Sequence, residues 1–385
     1  MSDAVISVGR TQVKGTLSTA VARWSGLGPY FAMFPVDFAF EVVQRFSEVG
    51  GRILDPFAGR ASSIYAAAAT GRSGTGIEIN SVGWLYGQVK LSPGPKDRVL
   101  RRLEDLRPVA ASLSPHVLAA LPEFFRVCYA PEVIRFLVAG RQALRWQVDR
   151  VDATLMAIIL VYLHGKRRYS LSNQTRQSKA MAPDYSIRWW REHQTEGYDR
   201  PPEIDPYAFL RPRVEWRFAK GEPVLEQARV IRGDCTRQLP FIKAQISLGR
   251  EQPYDLLFTS PPYYSITNYH YDQWLRGWML GGTDRPTKSG GPWQAKFESL
   301  PAYMRLLETA FRRCASLMRP SATVYVRTDA RPATHIATLA ALNAAFRHKH
   351  RRMIPRPLDG KSQTRLFGDR TAKPGEVDLI LQPNT

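Results

Sequence analysis

The sequence predicts an α/β fold, a mainly parallel sheet interrupted by a long helical stretch. Three features carry that reading. The short apolar segments Arg52 to Asp55 (RILD) and Gly74 to Glu78 (GTGIE) flank an alanine-rich run, Ser62 to Thr70, that closes at Gly71; this is the strand–helix–strand rhythm of a parallel sheet. Further strand candidates follow much later, at Ala228 to Ile231, Tyr254 to Ser260, Ala322 to Arg327 and Val377 to Leu381. Between Leu91 and about Gln227 the apolar residues instead recur at three and four spacing, as in RVLRRLEDLRPVAASL and EVIRFLVAGRQALRWQV, the period of an amphipathic helix. The chain thereby divides into 1–91, a helical insertion at 92–227, and 228–385, which returns to the sheet.

Two segments outside this rhythm have the composition of loops. HGKRRYSLSNQTRQSK (His164 to Lys179) is basic, polar and poor in aliphatics. GGTDRPTKSGGPW (Gly281 to Trp293) has the glycine and proline content of a mobile connection. Between them, YSIRWWREH (Tyr185 to His193) interleaves rings with arginines, where Trp189 and Trp190 either pack in the core or probe a partner.

The composition limits the classes available. With 385 residues, 44% of them apolar, the chain can bury a large core, and global disorder is excluded. Lys and Arg number 54 against 34 Asp and Glu, a formal charge of +20 that attracts polyanions, nucleic acid first among them. The same excess in a solvated surface is the plainer explanation, so charge only supports the motifs below. Cys128, Cys235 and Cys314 are far apart and in no C-x-x-C pair, so neither a disulfide framework nor a metal site is expected. The N-terminal MSDAVISVGRTQVKG lacks a signal-peptide core, and the longest largely apolar run, Ala153 to Tyr162, is well short of the ~20 residues that span a bilayer. A cytoplasmic chain with no membrane partner is expected.

Two constellations carry chemistry. DPFAGR (Asp55 to Arg60) stands immediately after a strand and before a helix, where small residues let a ligand approach the backbone and the helix start offers unpaired N–H groups. About twenty residues on, Glu78 ends the next strand, positioned to accept hydrogen bonds from the ribose hydroxyls of a nucleoside. An ordinary βαβ turn with a carboxylate cap shares part of this pattern. The second constellation is TSPPYY (Thr259 to Tyr264), at the end of the apolar strand YDLLFT. Consecutive prolines fix the exit direction and remove two donors, leaving carbonyls free to accept. Ser260 and the Pro261 carbonyl could take the two N–H bonds of an amine whose lone pair is delocalised into a ring, favouring a more tetrahedral nitrogen. Tyr263 offers a flat face for stacking.

DPFAGR, IEIN and TSPPYY together resemble the amino-methyltransferase family of DNA-modifying enzymes. The resemblance covers the sheet-forming parts, somewhat over half of the chain, and says little about residues 92 to 227. It implies a Rossmann-like class I methyltransferase fold, a seven-stranded, mainly parallel sheet with an antiparallel C-terminal strand, and S-adenosyl-L-methionine as cofactor. It implies cofactor contacts at Asp55, Phe57, Ala58 and Gly59, a ribose ligand at Glu78, and a catalytic loop of Ser260, Pro261, Pro262 and Tyr263. More loosely, Asp234 with Cys235 in VIRGDC matches the segment that contacts the cofactor's adenine. Phe34 and Pro35 in YFAMFP (Tyr30 to Pro35) match the segment against its methionine end. The sequence departs from the family at Ala61, where glycine is usual, and at Ser62, where threonine is usual.

The S-P-P-Y form of the motif is associated in that family with cytosine N4, so the resemblance implies site-specific methylation of that amine in DNA. The target base would be flipped out and stacked on Tyr263. Lys166, Arg167, Arg168, Arg176 and Lys179 are the expected phosphate contacts. A cognate restriction or other defence component is a conceivable partner. Adenine N6 methylation in DNA, base-amine methylation in RNA and a catalytically silent DNA-binding protein on the same fold remain alternatives. Cytosine C5 methylation is disfavoured, because it needs a cysteine nucleophile, typically after a proline, and no cysteine here follows one.

Overall fold

The computed structural model describes residues 19–29, 34–167, 169–174, 180–193, 195, 197–198, 200–264, 269–286, 299–357 and 375–384. Two helices, α1 (Ala20–Ser25) and α2 (Val36–Phe46), precede β1 (Arg52–Asp55). The chain continues through α3 (Ser62–Ala69), β2 (Ser73–Glu78) and α4 (Ser81–Leu91). The helical stretch comprises α5 (Lys96–Ser112), α6 (Pro115–Ala119), α7 (Glu123–Cys128), α8 (Pro131–Ala143), α9 (Arg150–Tyr162), α10 (Pro183–Glu192) and α11 (Pro206–Phe218). The chain then returns through β3 (Ala228–Arg232), α12 (Cys235–Ser247) and β4 (Tyr254–Thr259), followed by α13 (Tyr269–Asp272) and α14 (Trp274–Met279). It closes with α15 (Leu300–Ala315), β5 (Met318–Asp329), α16 (Pro332–Ala345), β6 (Lys349–Arg356) and β7 (Glu376–Pro383).

Among the described residues seven strands form one sheet in the order β3-β2-β1-β4-β5-β7-β6. Only β7 is antiparallel to its neighbours. This is the Rossmann-like, mainly parallel architecture the sequence predicts. Both faces are covered, so successive strand residues feed opposite cores: Leu54, Leu257, Val324 and Val326 pack with α12, α15 and α16. Ile53, Leu256, Phe258 and Tyr325 pack with α2 and α3. The helical stretch has a core of its own, in which Leu103, Phe136, Leu155 and Trp190 join Trp24, Tyr86 and Trp278 from flanking elements.

The strand order reverses at β1, which pairs with β2 on one side and β4 on the other. In a parallel sheet that reversal opens a crevice at the carboxyl ends of the two neighbours, between the loops that follow them. Here those loops are DPFAGR and TSPPYY.

The sequence reading omits β6. Its residues, KHRRMIPR, are mostly exposed and lack an apolar alternation, because it is the outermost strand. β5 is also longer than its apolar signal, starting at Met318 rather than Ala322.

Candidate active site

Asp55 closes β1 with its side chain inside the protein, 1% exposed. Its Oδ1 accepts from the Phe57 backbone N–H at 3.1 Å and from Thr259 Oγ1 at 2.6 Å, while its Oδ2 accepts from Ser63 Oγ. The carboxyl thus ties the turn after β1 to the first turn of α3 and to the last residue of β4. Burial pushes its pKa up to about 6 against those three hydrogen bonds. Asp55 therefore shapes the loop, with both carboxyl oxygens engaged inside it.

The loop that follows is folded against the end of β2. Glu78 Oε2 accepts from the Gly59 N–H and Oε1 from the Asn80 N–H, both at 2.7 Å. Burial raises this carboxyl to about 8, opposed by the backbone donors of Asn80, Gly59 and Ile79. Gly83 lets α4 lie on the loop: a β-carbon there would stand 2.8 Å from the Gly59 carbonyl oxygen. Ala61 caps α3 in the left-handed region, at φ 59°, where the family that the sequence resembles usually has glycine. Its buried methyl group packs with Ile64, Ala66 and Ala67, which offsets the backbone cost of about 1–2 kcal/mol. Arg60 Nε and Ser62 Oγ, in the same loop, are buried with no hydrogen-bond partner among the described residues. Buried polar groups of this kind leave room for a polar partner in the loop.

The second loop leaves β4 at Thr259. Ser260 is half-buried and Pro261 buried, and Tyr264 donates its N–H to Thr334 Oγ1 at 3.2 Å. The Tyr263 hydroxyl donates to Glu376 Oε1 at 2.7 Å, anchoring the ring to the first residue of β7. Glu376 lies 3.6 Å from Arg327, which forms a two-pronged ion pair with the fully buried Asp378 at 2.6 and 2.9 Å. Arg356 adds a contact to Asp378 at 2.8 Å, and the Arg327 guanidinium stacks over Phe38. Sequence reasoning missed this network. Its members are single charged residues in three strands distant in sequence, and only the β5–β7–β6 order brings them together.

The remaining expected cofactor residues are distributed around the same sheet edge. Phe34 stacks on Phe258 of β4 at 4.6 Å, and Pro35 caps α2. Asp234 caps α12, accepting from the Thr236 N–H at 2.8 Å, and Gly233 donates its N–H to the Glu78 carbonyl at 2.9 Å, so this turn abuts the end of β2. Cys235 is buried in the sheet core, which leaves its backbone to make any contact. Tyr30 to Met33 lie outside the described residues.

The expected recognition loop differs from its sequence reading. Lys166 is exposed, but Arg167 lies over the Tyr198 ring and donates to the Arg200 carbonyl at 2.9 Å. His164, Ser170, Ser172, Asn173 and Gln174 are buried, so the polar half of this segment is interior rather than a solvated loop. Its backbone and side chains find partners there: Asn173 donates to the Tyr198 carbonyl at 2.7 Å and its own carbonyl accepts from Trp190. Trp190 is a core residue, while Trp189 stacks on His193 at 4.1 Å. Arg168, Arg176, Lys179 and residues 287–293 of the glycine-rich segment lie outside the described residues. Among the described residues no helix is long and apolar enough to cross a membrane.

No family model and no curated protein matches the chain. Solved structures with some likeness include the rRNA methyltransferase aviRa from Streptomyces viridochromogenes, at 12% identity over 97% of this chain and 95% of that one, with a TM-score of 0.35. TrmN from Thermus thermophilus matches at 11% identity over 96% of this chain and 53% of that one, TM-score 0.34. A SAM-dependent methyltransferase from Agrobacterium tumefaciens matches at 10% identity over 91% and 64%, TM-score 0.34.

Proposed function

We propose that the chain is an S-adenosylmethionine-dependent methyltransferase acting on the exocyclic N4 amine of cytosine in DNA. The observation that carries this reading is the junction of Asp55 with Thr259, which fixes the DPFAGR loop beside the SPPY loop at the sheet's reversal point. A nucleoside-binding loop and an amine-orienting loop there share one crevice.

Phe57, Ala58, Gly59 and Glu78 would hold the cofactor, with the Asp234–Cys235 turn at its adenine and Phe34 and Pro35 toward its methionine end. When bound, it supplies an electrophilic methyl group on a sulfonium. Ser260 Oγ and the Pro261 carbonyl accept the amine's N–H bonds and aim its lone pair. That alignment matters because conjugation makes the amine a poor nucleophile. The Tyr263 ring stacks on the flipped base, and Glu376 holds that ring by its hydroxyl. The positive charge of the chain supports a polyanionic substrate.

Transfer of labelled methyl groups from S-adenosylmethionine to duplex DNA tests the reading. Incorporation is expected with the wild type and a loss on the order of 10²-fold with Ser260→Ala, the scale for removing one preorganised polar group. Equal incorporation by the variant would remove Ser260 from the mechanism. Incorporation into RNA alone would replace DNA as substrate.

A further inference from the structure

The outer edge of the sheet carries a charge pattern that neither the site nor the core accounts for. From Phe346 to Pro357 the sequence is FRHKHRRMIPRP, with Arg347, Lys349, Arg351, Arg352 and Arg356, two histidines and no acidic residue. Arg347, His348, His350, Arg351 and Arg352 are exposed. Among the described residues Arg347, Arg351 and Arg352 have no carboxylate partner; Arg351 donates only to the neutral Asn343 side chain, at 2.7 Å. Edge strands often carry charge, lysine especially, to block pairing with other chains. A run of one sign also builds a local positive potential.

Direction adds to composition. β6 runs parallel to β4 and β5, so its end lies at the same sheet edge as Ser260. Arg356 pairs in register with Glu376, the residue that holds Tyr263. The cationic edge therefore leads to the catalytic loop. Eight strand residues extend about 25 Å, alongside roughly seven phosphates of one duplex strand.

We propose that β6, with Arg347 and His348 before it, is a track for the sugar–phosphate backbone of the nucleic acid whose base enters the site. The inference rests on the nucleic-acid reading above and adds the surface on which the backbone lies. Arg347 and Arg352 are the phosphate contacts; Arg351, next to Arg352 in the strand, points to the opposite face, where it meets Asn343. Lys349 and Arg356 are engaged at the strand's two ends, Lys349 with the carbonyls of Pro320 and Ala322 and Arg356 with Asp378.

The test is the salt dependence of binding to a duplex DNA and a matching RNA, measured by fluorescence anisotropy for the wild type, Arg347→Gln/Arg352→Gln and Arg347→Lys/Arg352→Lys. Loss of two phosphate contacts is expected to lower the slope of log K against log salt by about 2 for the glutamine pair, with about tenfold weaker binding at low salt. The lysine pair keeps the wild-type slope. Exposed Arg250, which precedes the central strand β4 rather than the outermost strand, gives a control in Arg250→Gln with unchanged slope. Binding by the wild type with an unchanged slope in the glutamine pair overturns the track and leaves the nucleic-acid reading standing. No binding of either nucleic acid by the wild type overturns both. A slope change on RNA and not on DNA keeps the track and reassigns the substrate.

Discussion

The Thr259 hydroxyl donates to Asp55 across the sheet, 2.6 Å from Oδ1, so the last residue of one strand sets the position of another strand's loop. Thr259→Val keeps the shape and removes the donor, leaving a buried carboxyl oxygen with one partner fewer. The expected cost is about 1–3 kcal/mol in urea unfolding, with methyl transfer falling by more than the change in cofactor affinity. Unchanged stability and turnover would show that the two loops are held independently.

Glu78 gives a pH dependence with a defined sign. Burial lifts its carboxyl from an ordinary value near 4.5 to about 8, so the folded protein holds a proton that the unfolded chain has released at neutral pH. Its contribution to stability is full below about 4.5 and lost as pH rises through about 8. Ribose hydroxyls donating to this group favour the ionised form. Affinity for S-adenosylhomocysteine is therefore expected to rise about tenfold per pH unit below the site's pKa, with proton release on binding. Glu78→Gln should bind weakly and without that slope. Calorimetry in buffers of different ionisation enthalpy checks both statements.

Asp378 has the opposite role: fully buried, it pairs with buried Arg327 and with the half-exposed Arg356. Asp378→Asn removes the two-pronged carboxylate of buried Arg327 and leaves it only the 3.6 Å contact to Glu376, and a loss of about 3–5 kcal/mol is expected in denaturant unfolding. A loss under 1 kcal/mol would place the stability of this edge elsewhere.

Tyr263 separates ring from hydroxyl. Tyr263→Phe keeps the stacking face and releases the contact to Glu376, so target-base extrusion, followed by 2-aminopurine fluorescence, should persist while turnover falls. Tyr263→Ala should lose the ring's contribution, about 1–3 kcal/mol, and with it the extruded base. Wild-type extrusion in the alanine variant would exclude stacking on this residue.

The sheet was legible where strands are buried on both faces, because RILD, GTGIE and YDLLFT carry apolar centres, Ile53–Leu54, Ile77 and Leu256–Phe258, bounded by turns. β6 was not legible, since an edge strand needs no apolar pattern. The loops DPFAGR and TSPPYY stood out because their small residues and prolines constrain the backbone whatever surrounds them. The polar segment at His164 reads in sequence as a solvated loop but is interior: the backbone N–H groups of Leu171 and Asn173 donate to the Tyr162 and Cys128 carbonyls and the Asn173 side chain to the Tyr198 carbonyl, partners that tertiary packing alone supplies. Asp55 reads in sequence as a cofactor contact, and its carboxyl also joins the two loops. No local pattern in sequence records that Thr259, 204 residues away, is its partner.

The central claim is the identity of the methylated atom. Duplex DNA incubated with the protein and S-adenosylmethionine, digested to nucleosides and analysed by mass spectrometry, is expected to contain N4-methylcytosine with the wild type and to lose that signal with Ser260→Ala. N6-methyladenine without N4-methylcytosine would contradict the assignment of the serine loop to cytosine, and DNA with no methylated base amine would contradict the account as a whole.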